Sequence, residues 1–235
     1  SSRVSDAFNA ADQIEFTGGK KNTINFEFIK GRLKARYNSL SPQAAVRYFE
    51  KLYKDIPTNE NKYAYIMALQ SNGQTDQALN VMDDILRKFP KNLILNTTKS
   101  EILLSGNQLS LAQKNIEQVL NISPRNYPAS IIKAKILSSK KEFIKAEEIL
   151  RDLLIGKNRD PGLWMQLSEV QRAGKNIVGY HLSRGEYYLL IGDFDNALNQ
   201  FQFALSLSGN SFQTSETIMT KIKFAKERLS RRRSS

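Results

Sequence analysis

Cysteine is absent and histidine occurs once, as His181. Without thiols the chain forms no disulfide and offers no Cys-ligated metal site. With one histidine it has neither a His-Glu-x-x-His zinc helix nor a second candidate base for a Ser-His-Asp set. His181 is therefore read as a packing or hydrogen-bonding residue, and the chain is expected to be no enzyme, to bind no metal and to carry no cofactor. Tryptophan is also single, and Trp164 is assigned to the core. Gly18-Gly19 is not followed by the Lys-Ser/Thr pair of a phosphate-binding loop. No apolar run approaches the roughly 18 residues that a membrane-spanning helix requires. Ser1-Ser2-Arg3-Val4 lacks the charged-then-apolar build of a signal peptide. If the protein is exported, this sequence is expected to be its mature form or a fragment. The missing cysteines suit cytosol and periplasm alike.

What the chain does contain is ordinary for a soluble globular protein: 40% apolar and 25% charged residues, 12 Gly and 6 Pro. Its net charge of +12 is uneven. From Lys221 to Ser235 seven basic residues face one acid, so half of the excess is a property of the tail. Such a tail suits phosphates, anionic lipid or an acidic partner, or simply a solvated helix end. Few aromatics alternate with Arg231-Arg232-Arg233, so nucleic acid is not the expected partner. Glu147-Glu148 and Asp83-Asp84 read as helical surface acids.

An internal period organises the rest. Ala78, Ala112 and Ala146 are spaced 34 residues apart. Four residues later come Met82, Ile116 and Leu150, and seven later Ile85, Val119 and Leu153. Nine residues earlier stand Leu69, Leu103 and Leu137, and Pro90 and Pro124 close two of the copies. Residues at 0, +4 and +7 share one helical face, and only a small side chain at the crossing lets two axes approach closely. Proline cannot continue the second helix. Gly73, Gly106 and Gly192 fall at the inner turns, where positive φ is expected. A 34-residue unit with a small residue in its second helix and a closing proline is the tetratricopeptide pattern.

Two further copies are less regular. Ala45, Phe49, Leu52 and Pro57 keep the offsets near the start, after a helix spanning Phe26 to Tyr37. Gly185, Tyr188, Gly192, Ala197, Phe201 and Ala204 keep them near the end. Ala197 lies 51 residues after Ala146, one and a half repeats. The extra half opens with Asp160 as N-cap and Pro161 in the first turn, and the helix from Ile177 to Leu190 is expected to serve two hairpins. The expected fold is all-α, a tetratricopeptide-repeat solenoid of antiparallel helical hairpins with a capping helix. Residues 1–23 are expected to hold an N-terminal helix (Val4 to Ile14) and a linker. Residues 24–210 then carry about five repeats, with a half-repeat insertion near 161–176, and residues 211–235 the capping helix and basic tail.

Several stretches go further. Arg3-Val4-Ser5-Asp6-Ala7, Ile29-Lys30-Gly31-Arg32-Leu33, Ser41 to Phe49, Leu163-Trp164-x-x-Leu167 and Gly179-Tyr180-His181-x-x-Arg184-Gly185-Glu186-Tyr187 resemble the C-terminal region of periplasmic zinc metalloproteases of the beta-barrel assembly-enhancing type. The resemblance covers nearly the whole chain, except that the protease's zinc motif is absent. It implies a periplasmic repeat region that holds partner or client proteins of outer-membrane assembly, alongside its own protease domain.

The concave groove of such arrays is lined by the first helix of each hairpin. Positions eleven to fifteen residues before each repeat alanine give Tyr63, Ala64 and Met67, then Thr97, Thr98 and Glu101, then Ile131, Ile132 and Lys135. The half repeat adds Met165, Gln166 and Glu169. The expected partner-binding set is Tyr63, Met67, Thr97, Glu101, Ile131, Ile132, Lys135, Met165 and Glu169, a partly apolar surface for a peptide segment or partner domain. It has no Lys-Asn pair to clamp a C-terminal carboxylate. The function expected is a protein-binding scaffold. The alternative is an adaptor whose basic C-terminus meets anionic lipid or nucleic acid.

Overall fold

A computed structural model describes residues 20–209 and 211–233, which form twelve α-helices and no strand. The expected helix from Val4 to Ile14 lies outside the described residues, and helix formation is already under way at Lys20. The chain falls into two compact units, Ser1–Ile122 and Ser123–Ser235. The first contains α1 (Lys20–Arg36), α2 (Pro42–Asp55), α3 (Asn59–Ser71), α4 (Thr75–Lys88), α5 (Leu93–Ser105) and α6 (Leu109–Ile122). The second contains α7 (Tyr127–Ser139), α8 (Phe143–Lys157), α9 (Pro161–Ala173), α10 (Ile177–Leu190), α11 (Phe194–Leu207) and α12 (Phe212–Arg233).

The ends of these helices repeat as faithfully as their cores. Thr58, Asn92, Asn126 and Asp160, each 34 residues after the last, cap α3, α5, α7 and α9 by accepting a backbone N–H from the first turn. The inner turns recur at the same interval, with left-handed residues at Gly73 (φ 74°), Asn107 (57°), Lys141 (64°) and Lys175 (62°). At each of them the following N–H returns to the carbonyl five residues back, at Leu69, Leu103, Leu137 and Gln171. Gly106 does not supply a positive φ. It caps α5 at φ −83°, and Asn107 takes the left-handed position instead.

Within both units the repeat alanines are buried at the helix crossings, with Ala78, Ala112, Ala146 and Ala197 fully so. In the first unit Ala78, Met82 and Ile85 pack with Tyr63, Ile66, Leu69, Leu95 and Ile102. In the second, Ala146, Leu150 and Leu154 pack with Leu163, Leu167 and Val170. Burying each such aliphatic side chain is worth about 1.5–3 kcal/mol. Helix α10 packs against both α9 and α11. It meets α11 at Gly185, where a Cβ would lie 2.2 Å from a ring carbon of Phe201. Helix α12 covers α11 with Ile218 and Ala225, which are fully buried beside Ala197, Phe201 and Ala204.

Helix α1 departs from the hairpin pattern. A five-residue connection, Tyr37 to Ser41, separates it from α2, and its main packing partner is α3. Gly31 permits this, since a Cβ there would lie 2.4 Å from the Glu60 carbonyl oxygen.

Candidate functional site

In the first unit the expected groove residues lie on α3 and α5, and α1 lies against them. Tyr63 is fully buried, its ring centroid 5.5 Å from that of Phe28 on α1. Its hydroxyl lies 2.6 Å from Thr98 Oγ1. Thr98 donates its own proton to the Ile94 carbonyl at 2.9 Å, which leaves Tyr63 as the donor between the two. Arg32 completes the set: its Nη2 donates to Glu101 Oε2 at 2.7 Å and to Thr98 Oγ1 at 3.1 Å, and its Nε to the Tyr63 hydroxyl at 3.4 Å. Thr97 is buried as well, and Met67 is half-buried against the core. With α1 in place Tyr63 and Thr97 face the interior, and Glu101 already holds a cation. Spacing puts these residues on the correct helices but carries no sign that α1 covers them. Beside the start of α1 is an open apolar cavity of about 660 Å³, lined by Ile24, Phe89, Leu93 and Ile94 among others.

In the second unit the expected residues divide differently. Ile132 is buried and offers nothing to a partner. Ile131 is half-buried, packed on the core beside Trp164. Trp164 donates its indole N–H to the Asn158 carbonyl at 2.7 Å. Lys135 and Glu169 are exposed, and Glu169 accepts from Arg172 at 2.6 Å. Met165 is brought to Arg184 of α10, whose Nη1 lies 2.9 Å from its sulfur. Nη2 of Arg184 donates to the Tyr188 hydroxyl at 3.0 Å, and the guanidinium sits 5.1 Å and 5.7 Å from the Tyr188 and Tyr187 ring centroids. Its Nε is buried without a hydrogen-bond partner, and among the described residues Arg184 has no carboxylate. A thioether and a phenol are weak acceptors for a cation. The group is therefore held in place but incompletely satisfied. The cluster escapes a reading of first-helix positions because Arg184 and Tyr188 lie on α10, which closes the hairpin of α9 as well as opening that of α11. The signal available was their i, i+4 spacing.

Other side chains singled out from the sequence take structural places. Nδ1 of His181 lies 2.9 Å from Gln200 Oε1, and its ring stacks on Phe203 at 5.4 Å. Glu148 is exposed, but Glu147 is half-buried at the contact of α8 with α9 and α10. Burial would raise its pKa, yet hydrogen bonds from Gln171, Arg151 and Asn176 outweigh that and hold the carboxyl below the usual range. The Gln171 amide oxygen in turn accepts from Ser183 at 2.7 Å. Among the described residues no group of three or more His, Asp or Glu side chains is placed to hold a metal ion, and no helix is long and apolar enough to cross a membrane.

No protein-family model matches the chain, and no curated protein matches it. Solved structures do. A tetratricopeptide-repeat protein from Parabacteroides merdae superposes with a TM-score of 0.52 at 16% identity, covering 88% of this chain and 86% of its own. A thermophilic tetratricopeptide-repeat protein of Thermus thermophilus gives 0.51 at 20% identity, covering 83% and 98%. The APC/C hetero-tetramer Cut9–Hcn1 gives 0.51 at 16% identity, covering 88% of this chain and 42% of the other. The fold is thus a tetratricopeptide-type array of helical hairpins.

Proposed function

We propose that this chain is a protein-interaction module and that the second unit receives its partner at Met165, Arg184 and Tyr188. The observation that carries the reading is the incomplete coordination of Arg184. Arg32 in the first unit has a carboxylate, a hydroxyl and a phenol. Arg184 has only a sulfur, one phenol and two ring faces. An acidic side chain on a partner would supply the missing anion. Arginine, tyrosine and methionine are also the residue types enriched at association surfaces. The second unit carries 19 basic against 11 acidic residues, which favours an acidic segment. No catalytic step and no cofactor is assigned to the chain.

The resemblance of Ile29 to Leu33, Ser41 to Phe49 and Gly179 to Tyr187 to envelope metalloproteases supports a finer placement. In it, the chain is the repeat region of a periplasmic zinc protease acting in outer-membrane protein assembly. A native coding sequence without an upstream His-Glu-x-x-His motif would remove that placement and leave the binding role intact. The adaptor reading draws support from the exposed Phe212, Met219 and Phe224 on basic α12. It is weakened because Lys221 is already paired with Glu186, and Arg232 with the Gly192 carbonyl.

The binding role is tested by a photocrosslinking amino acid placed at Glu169, one turn from Met165, and at the exposed Ile155 of α8 as control. Crosslinks to envelope protein are expected from position 169, with reduced yield in Arg184→Met. Equal yield from both positions, unaffected by Arg184→Met, would remove the assignment.

A further inference from the structure

The interface between α1 and the rest of the first unit differs in kind from the hairpin interfaces. Among the described residues Phe28 is the only large apolar side chain of α1 that is fully buried, while Ile29 and Leu33 stay exposed. Around it Ile24 and Ala35 are half-buried against the core, and the other contacts are polar. Glu27 accepts from Asn59 at 3.0 Å, Asn92 donates to Asn25 at 2.9 Å, and Lys30 and Lys34 both pair with Glu60. Arg32 reaches Glu101 on α5, two helices beyond the one its own helix packs on. One aromatic anchor that reaches the core of the unit, inside a ring of charge and polar pairs, is the anatomy of an association surface. Beneath α1 lie the Tyr63 ring, Phe89 and two carboxylates, Glu60 and Glu101, so the covered face selects for a basic helix.

We propose that this face of α3 and α5 is a receptor for a basic helix in a partner protein. That helix presents an aromatic residue and an arginine one turn apart, as Phe28 and Arg32 do, and displaces α1. The short tether gives α1 an effective concentration on the order of millimolar. A free helix of equal quality is therefore outcompeted, and binding becomes visible once α1 is weakened. This surface is separate from the Arg184 cluster and selects the opposite charge, so either assignment survives failure of the other.

The probe is a fluorescein-labelled peptide of residues 20–37, titrated against the full chain by anisotropy. Phe28→Ala with Arg32→Ala is expected to bind it at least tenfold more tightly than the unaltered chain, and adding Glu101→Lys should abolish the gain. No gain in a double variant that keeps its helical circular dichroism would overturn the proposal, as would indifference to Glu101→Lys. Hydrogen exchange on the unaltered chain decides the matter if the variant unfolds. The amides of α1 should exchange at least tenfold faster than those of Ile66 and Leu69, and equal protection sinks the idea.

Discussion

The crossing of α10 and α11 allows one substitution to be made in two places with opposite expected signs. Replacing Gly by Ala inside a helix ordinarily stabilises by about 1 kcal/mol, because glycine loses more backbone freedom on folding. At Gly185 the new methyl would lie 2.2, 2.6 and 2.7 Å from three ring carbons of Phe201. That ring is fully buried among Ala197, Ala204, Ile218 and Ala225, so it has no free space to enter. Overpacking of this kind costs about 1–3 kcal/mol, and three contacts this short place it near the upper end. The expected net loss is about 2 kcal/mol, a fall in melting temperature of about 4–8 °C for a chain of this size. Gly156, exposed near the end of α8, has nothing within 4 Å of an added Cβ. There the helix propensity acts alone, and Gly156→Ala should be neutral or stabilising by up to about 1 kcal/mol. Thermal melts followed by circular dichroism measure both. A Gly185→Ala chain melting at or above the unaltered protein would refute the close crossing.

Two further outcomes follow from particular contacts. Ala112→Leu forces a larger, branched side chain into a fully buried crossing between α6 and α5 and should destabilise by about 1–3 kcal/mol; an unchanged urea midpoint would count against the repeat register. Hydrogen bonds from Lys62 and Arg87 hold the Asp84 carboxyl at about 2, below the roughly 3.9 of an unfolded aspartate. A depressed carboxylate contributes stability above its unfolded pKa and loses it as pH falls through the folded one. The melting temperature should therefore fall more steeply between about pH 4 and about pH 2 in the unaltered chain than in Asp84→Asn, and parallel curves would remove this contribution.

The core was legible in the sequence because burial repeats. Each hairpin buries the same positions, so Ala78, Ala112 and Ala146 recur with their +4 partners at 34-residue intervals. The caps at Thr58, Asn92 and Asn126 were equally legible, although only Asp160 attracts attention without the others. Of the left-handed turns, those at Gly73 and Gly192 were legible and the others were not. Asn107, Lys141 and Lys175 occupy conformations that glycine would take more cheaply. They are held there by the carbonyls at the ends of α5, α7 and α9, and no side-chain chemistry announces that. Spacing also says which face of a first helix points inward but not what covers it. Tyr63 and Thr97 were placed on the right face and are buried all the same.

The two arginines show where periodicity stops being informative. Arg184 falls 34 residues after Leu150, where the regular copies bury an apolar side chain, and Arg32 lies on a helix outside the regular hairpins. Arg32 meets Glu101 because α1 leaves its hairpin and lies along α3. Arg184 meets Met165 because α10 packs against two helices at once, and its side chain must lie at the α9 contact while Gly185 makes the α11 contact. A repeat specifies the contacts that every copy shares, and these are apolar. Charge is brought inward where a helix departs from the pattern, as at Arg32 and Arg184, and within a regular hairpin where Lys62 of α3 is buried against Asp84 of α4. Candidate partner sites in this chain are therefore to be sought at α1 and α10, the two helices whose packing is irregular, before the regular hairpins between them.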